Sequence, residues 1–314
     1  MIKTIVSEEL PVCELLEIKK NIIQGERSGP RLCVVTGTHG DELEGQFVCF
    51  ELARLLYQNV QHLCGNVEIY PALNPLGVDS ISRGFPGFDL DMNRIFPGLR
   101  GGHIAENTVY AILEDLSGAD LVLDIHSSNI FLNEVMQARI SSDFAEGLIP
   151  YAQLLNIDFI WIHDAVTVLQ STLAHSLNSR GTKTIVVEMG IGMRITRAYG
   201  ERLVKGIFAL MRRLGMWDAP PAAEDTVSKP ILSTEGEVLF INAECSGVII
   251  PEAEHSSLIK KGQGLCKIVS PFEGKILQDV HSQADGFLFT MRTYPIVYEG
   301  SLIARIFRAR RGGE

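Results

Sequence analysis

Residues 34–45 read VVTGTHGDELEG, and the fold turns on how this stretch is understood. The run Val34-Val35-Thr36 has the β-branched character of a buried strand, and Glu44-Gly45-Gln46-Phe47-Val48 opens a helical pattern. Between them lies a glycine-punctuated turn carrying His39, Asp41 and Glu42, with Glu44 directly behind. A polar turn leaving the end of an apolar strand is where α/β folds keep their chemistry. Taken alone, the acids suit equally well a solvated loop that favours a helix N-terminus.

Outward from this stretch, apolar strand patterns at 32–38, 67–73, 120–126, 159–163 and 184–188 alternate with helix-period stretches at 44–56, 105–116, 144–155 and 197–214. That alternation predicts an α/β fold, a sheet flanked by helices on both faces, over residues 1–216. WDAPPAAEDTVSKP (217–230) mixes proline, alanine and charge without periodicity and reads as a linker. From 231 to 314 the chain turns into short strands separated by glycines, a small all-β module. Its rhythm resembles the barrel-sandwich of biotinyl and lipoyl carrier domains. Lys267, however, runs straight into the next strand instead of standing on a hairpin, so the module is expected to carry no prosthetic group and to act as a lid or oligomerisation surface.

The totals narrow the function. Of the 314 residues, 46% are hydrophobic and 21% charged, which is a globular composition. A formal net charge of −10 argues against nucleic acid as a partner, because that affinity depends on Lys and Arg displacing counterions. The cluster Arg305, Arg308, Arg310, Arg311 reads as a solvated basic tail. No apolar run approaches the ~20 residues that span a bilayer, and MIKTIVSEELPVCE lacks a signal-peptide core, so a cytoplasmic protein with no membrane partner is expected. The six cysteines include no C-x-x-C pair, and Cys33 and Cys49 fall where free cysteine acts as a small hydrophobe.

Four strips could carry chemistry. His39-x-x-Glu42 offers a nitrogen and a carboxylate that can converge on one ion, although H-x-x-E alone is common by chance. Catalytic zinc takes three protein ligands, and His126, at the end of LVLDIHSSN (121–129), is the best third because its strand should end at the same sheet edge. His163, at the end of FIWIH, is the one rival, and His175 lies in a helical stretch without an evident partner. RGFPGFDLDMNRIFPG (83–98) groups Arg83, Asp91, Asn93 and Arg94, a set suited to an anionic substrate near a metal, or else a charged loop packed on its phenylalanines. Glu188 ends the apolar strand of TIVVEMGIGMRIT (184–196), where an acid needs an active-site role or a salt bridge, and we assign it as general base.

These strips in this order, G-T-H-G-D-E, R-x-x-P…D-L-D-M-N-R-x-F-P-G, D-I-H-S-S and V-E-M-G, resemble the succinylglutamate desuccinylase/aspartoacylase family, within the wider zinc carboxypeptidase fold. The resemblance spans nearly the whole chain. It implies a zinc carboxypeptidase-like mixed sheet and one zinc per chain held by His39, Glu42 and His126, with Glu188 promoting attack of a zinc-activated water on an amide. Arg83 would then polarise the carbonyl, Asn93 and Arg94 would hold the substrate carboxylate, and Asp91 would orient His39. The implied activity is removal of an acyl group from an N-acylated amino acid or similar small amide. A peptide-cleaving metallocarboxypeptidase is the alternative, and a non-catalytic zinc protein a third. The chain departs from the family pattern at Met92, where leucine is usual, and after Glu188, where it is less glycine-rich. No motif fixes a catalytic tyrosine, for which Tyr294 and Tyr298 are candidates. Homo-oligomerisation is possible, and segments 129–142 and 164–182 read as pocket-lining loops.

Overall fold

The computed structural model describes residues 1–164, 167–221 and 226–310. Eight strands precede residue 217: β1 (Ile2–Glu9), β2 (Leu15–Gln24), β3 (Arg27–Val35), β4 (Cys64–Tyr70), β5 (Leu121–Ser127), β6 (Leu132–Ser141), β7 (Phe159–His163) and β8 (Thr184–Gly190). The helices are α1 (Glu44–Gln58), α2 (Pro75–Ser80), α3 (Ile104–Leu116), α4 (Ala145–Ala152), α5 (Leu173–Ser179) and α6 (Arg197–Arg213). The strands run β1-β2-β4-β3-β5-β8-β6 across the sheet. The centre, β4-β3-β5-β8, is parallel, while β1-β2, β2-β4 and β6-β8 pair antiparallel and β7 joins β6 in parallel. The sheet is therefore mixed, as the family resemblance implies.

Alternation along the strands builds two cores. Leu32 and Val34 of β3, with Leu121, Leu123 and Ile125 of β5, face α1 and α6, from which Leu52, Leu56, Leu203 and Ile207 are fully buried. Cys33, Val35 and Val122 face the other way, onto Val109, Ile112 and Leu113 of α3 and Leu173 of α5. Asp124 and His126 fall by the same alternation on the Val122 face, so the end of β5 turns its polar residues away from the larger core.

The chain then forms β9 (Ile231–Leu232), β10 (Gly236–Asn242), β11 (Gly247–Pro251), β12 (Ser257–Ile259), β13 (Gly264–Ser270), β14 (Lys275–His281), β15 (Gly286–Arg292), β16 (Ile296–Val297) and β17 (Leu302–Ala309). A four-stranded antiparallel sheet, β14-β13-β11-β16, makes one part of this module. The other part joins the main sheet: β15 pairs antiparallel with β6 and with β17, and β9 pairs with β7. A seam of Val135, Phe159, Phe289 and Phe307 is packed at this junction, with the Phe159 and Phe289 rings stacked at 4.7 Å. Lys267 lies within β13, 2.6 Å from Glu252, and is not presented on a hairpin.

Three local expectations need correction. Residues 132–141 are not a loop but β6, a strand buried on both sides between β8 and β15. The 164–182 segment contains the single 3-10 turn Thr167–Ser171 and α5, with 165–166 outside the described residues. Arg305 is not part of a solvated tail: it lies in β17, only 15% exposed in its side chain, and pairs with Glu134 at 2.9 Å. Two N-terminal strands had no counterpart in the sequence reading, β1 and β2. Among the described residues no helix is long and apolar enough to cross a membrane.

Candidate metal centre and active cleft

The 34–45 stretch resolves as the exit from β3. Val35 pairs with Asp124 of β5, and His126 of β5 pairs with Glu188 of β8, so the turn, His126 and Glu188 meet at the carboxyl ends of three adjacent parallel strands. Gly40 packs so closely on the backbone of Gly77 in α2 that a β-carbon would overlap it, which explains the glycine within the turn. The three acids divide their work. Glu42 turns inward to the histidines, while Glu44 accepts from the Thr196 backbone amide at 2.6 Å and hydroxyl at 2.7 Å. The Asp41 carbonyl accepts from Met193 at 2.7 Å. Glu44 and Asp41 thus fasten the loop after β8 to the loop after β3.

His39, Glu42 and His126 form a buried cluster in which one donor atom from each lies within 4.8 Å of the others. His39 Nδ1 and His126 Nδ1 each lie 2.8 Å from a different oxygen of Glu42. The far nitrogen of each ring faces a second carboxylate: His39 Nε2 meets Asp91 Oδ1 at 2.9 Å, and His126 Nε2 lies 3.1 Å from Asp124 Oδ1. Burial alone would lower both histidine pKa values, but the flanking carboxylates overcome it, and both stand above the ordinary value. Glu42 is pushed up by burial, yet the two imidazoles hold it well below the carboxylate range.

The donor set fits a metal ion. His39 Nδ1 is buried without a hydrogen-bond partner, since its approach to Glu42 is out of line for one. An ion shared by the three inner donors would satisfy that nitrogen. Two imidazoles and one carboxylate suit a borderline cation, and the Asp91 hydrogen bond behind the His39 ring fixes that ring's tautomer. His163 is not in the cluster; its Nδ1 turns to the Asp164 carbonyl at 3.2 Å.

The cluster opens into a cleft of about 470 Å³. Arg83 sits on Glu42 Oε1 at 2.8 Å and reaches Asp91 Oδ2 at 3.5 Å. Asn93 accepts the Leu173 amide at 2.9 Å, and Arg94 donates to the Asn93 carbonyl at 2.7 Å. Among the described residues no carboxylate pairs with Arg94. Glu188 also lines the cleft, with Arg139 Nη1 3.3 Å from its Oε1. Burial raises the Glu188 carboxyl above its ordinary pKa, Arg139 pulls it back and Glu42 adds to the rise. The structure therefore brings all eight residues singled out in the sequence to one cleft or the ring around it. Tyr294 packs edge-on against the cleft residue Phe131 at 5.2 Å, while Tyr298 is 69% exposed.

Four residues of the site had no place in the sequence reading. Asp124 was legible, because it stands two residues before His126 and so shares its strand face. Glu134 and Arg139 lie in the unread segment, and Arg305 was misplaced. Together they form a buried chain in which Glu134 Oε1 takes Arg305 at 2.9 Å and Oε2 takes Arg139 at 2.7 Å. The Arg305 guanidinium is stacked near Trp161, 5.0 Å from its centroid.

A mixed α/β sheet with a metal-capable donor cluster at its parallel strand ends, opening into an arginine-lined cleft, defines an α/β protein with the layout of a hydrolase. The family model described as the succinylglutamate desuccinylase/aspartoacylase catalytic domain matches residues 28–214, and the chain belongs to that family of deacylases. Its fold is similar to a succinylglutamate desuccinylase/aspartoacylase from Rhodobacter sphaeroides, with a TM-score of 0.81 at 19% identity over 99% of this chain and 95% of that one. It is also similar to the product-bound ectoine utilization protein EutE (DoeB) from Ruegeria pomeroyi, with a TM-score of 0.79 at 19% identity over 96% and 92%. An aspartoacylase family protein from Mesorhizobium loti gives 0.76 at 19% over 99% and 95%. No curated protein matches.

Proposed function

We propose that the chain is a zinc-dependent deacylase that hydrolyses the amide bond of N-acylated amino acids or similar small carboxylate-bearing amides. The observation that carries this reading is the juxtaposition, in one cleft, of the buried His39–Glu42–His126 donors, the half-buried acid Glu188 and Arg94, which has no carboxylate partner among the described residues. Zinc held by the three donors would supply Lewis-acid chemistry, easing deprotonation of a water and polarising a carbonyl. Glu188, with its pKa raised by burial, accepts the proton from water and passes it to the departing nitrogen. Arg83 presents a guanidinium beside Glu42, where it stabilises negative charge on the carbonyl oxygen. Arg94 and Asn93 hold the substrate carboxylate, which positions the amide over the donor cluster. Asp91 and Asp124 keep the two imidazoles in register.

A small substrate fits better than a peptide, because Arg305, from the C-terminal module, forms part of the cleft wall. The zinc-loaded protein should be screened by mass spectrometry against N-acyl amino acids and short peptides. Release of a free amino acid from N-acyl substrates supports the proposal, whereas cleavage of peptides alone would replace it with the carboxypeptidase reading.

A further inference from the structure

We infer that the cleft selects N-acyl amino acids whose amino-acid side chain is apolar, aliphatic or aromatic, and rejects those with an acidic side chain. The inference rests on the deacylase reading and specifies its substrate class. It starts from the carboxylate anchor. The Asn93 side chain accepts the Leu173 amide at 2.9 Å, and the Phe96 amide donates to the Ser171 carbonyl at 3.2 Å, so the anchor is stitched to the start of α5. Leu169, Ala174 and His175 of that segment line the cleft beside the anchor. With the amide directed to the donor cluster, the side chain on the carbon that bears the anchored carboxylate is placed against this lining. The wall they face is Ile140, Phe144, Leu148 and Val186, with the Phe144 and His175 rings edge-on at 5.7 Å.

Several polar groups on this side of the cleft are already committed, and the Ser141 hydroxyl, buried without a partner, offers only a neutral donor. Asn178 spends both ends of its amide on the Thr184 backbone, at 2.9 Å each. Thr172 donates to the Leu169 carbonyl at 2.8 Å and accepts from the His175 amide, and Thr184 donates to the Thr182 carbonyl at 3.0 Å. The charges follow the same pattern. Four arginines line the cleft: Arg83 is matched by Glu42 and Asp91, Arg139 by Glu134 and Glu188, and Arg305 by Glu134. Only Arg94 lacks a carboxylate among the described residues, and one substrate carboxylate satisfies it. A second carboxylate, as in an aspartate or glutamate derivative, would find no unmatched guanidinium among the four and would share the cleft with Glu134 and Glu188. Burying an unpaired charge is far more costly than burying a hydrocarbon, so the discrimination follows from charge count as much as from shape.

The test compares N-acetyl-Phe and N-acetyl-Leu with N-acetyl-Asp and N-acetyl-Glu on the metal-loaded protein. The apolar pair should show kcat/KM higher by roughly 10-fold or more. Calorimetry of the free amino acids should show the same order, with Phe or Leu bound roughly 10-fold tighter than Asp or Glu. Phe144→Lys, at a half-buried wall position, should shift the preference toward the acidic substrates by supplying the missing cation. His175→Lys, at another half-buried lining position, is the second variant should Phe144→Lys fold poorly. Preference of the native protein for the acidic pair, equal binding of both classes, or a gain that follows acyl length and not the side chain would overturn the inference. If no N-acyl amino acid is hydrolysed, the deacylase reading fails, and the calorimetric order still decides the inference.

Discussion

Replacing Glu188 by Gln isolates the proton-transfer step from everything else the cleft does. Glu188 stands on β8 between His126 and Gln137 in register, and its carboxylate meets Arg139 at 3.3 Å. It lies outside the metal-capable cluster, so the variant should keep its metal. Arg139 retains Glu134 at 2.7 Å after the change, and Glu134 is then left to serve both Arg139 and Arg305. The stability loss is then that of one partly screened ion pair, about 1 kcal/mol. A glutamine cannot accept a proton from water, and loss of a positioned general base costs ~10²–10⁴-fold in turnover, or about 3–5 kcal/mol of barrier. The pH profile supplies a second readout. A base whose pKa is raised is protonated and idle at low pH, so native activity should rise with pH through that raised pKa, and this limb should vanish in the variant. Turnover on a substrate from the screen, metal content by mass spectrometry and thermal unfolding make up the assay. Near-normal turnover, or loss of metal together with activity, would refute the reasoning.

Further expectations follow from the same geometry. Arg94→Ala should raise KM by roughly 10- to 150-fold with a smaller effect on kcat, since one charged hydrogen bond is worth ~1.5–3 kcal/mol; a loss confined to kcat would remove Arg94 from the anchor. Asp91→Asn and Asp124→Asn should each weaken metal affinity by ~10–100-fold, read by competition with a chelating dye; unchanged affinity in both would show that the carboxylates behind the rings do not tune the site. Glu68 accepts from Lys20, Arg31 and Tyr70 in the wall behind β4, and although burial pushes its carboxyl up, those three donors bring it down to about 2. Its stabilisation is therefore complete above its ordinary pKa of 4.5 and lost as pH falls toward 2. Glu68→Ala should lower urea stability at neutral pH by about 3–5 kcal/mol and flatten that acid limb, and a loss under about 1 kcal/mol would contradict it.

Much of the site was legible because its residues sit at the ends of strongly patterned strands. His126 closes an apolar run interrupted only by Asp124, and Glu188 closes an unbroken one, so strand periodicity alone set both at one sheet edge. The helices α1, α3 and α6 were legible for the same reason, each within two residues at its ends. Strand β6 was not, because Leu132–Ser141 is buried on both faces and mixes Asn133, Glu134, Gln137 and Arg139 into its apolar sequence. Glu134 takes Gln137 and Arg139 from its own strand, but it also takes Arg305, whose burial depends on β17 joining the main sheet. No local pattern reports such a pairing. Arg305 therefore looked like a member of a basic tail, when the sheet places it in the cleft wall.

Metal stoichiometry tests the central claim most directly. Inductively coupled plasma mass spectrometry on the native protein, His39→Ala, Glu42→Ala and His126→Ala, after zinc loading and desalting, should give one zinc per native chain and less than about a tenth of that in each variant, with folding checked by circular dichroism. Near-full occupancy in a folded His39→Ala or His126→Ala variant, or no retained zinc in the native protein, would contradict the assignment of this cluster as the metal centre.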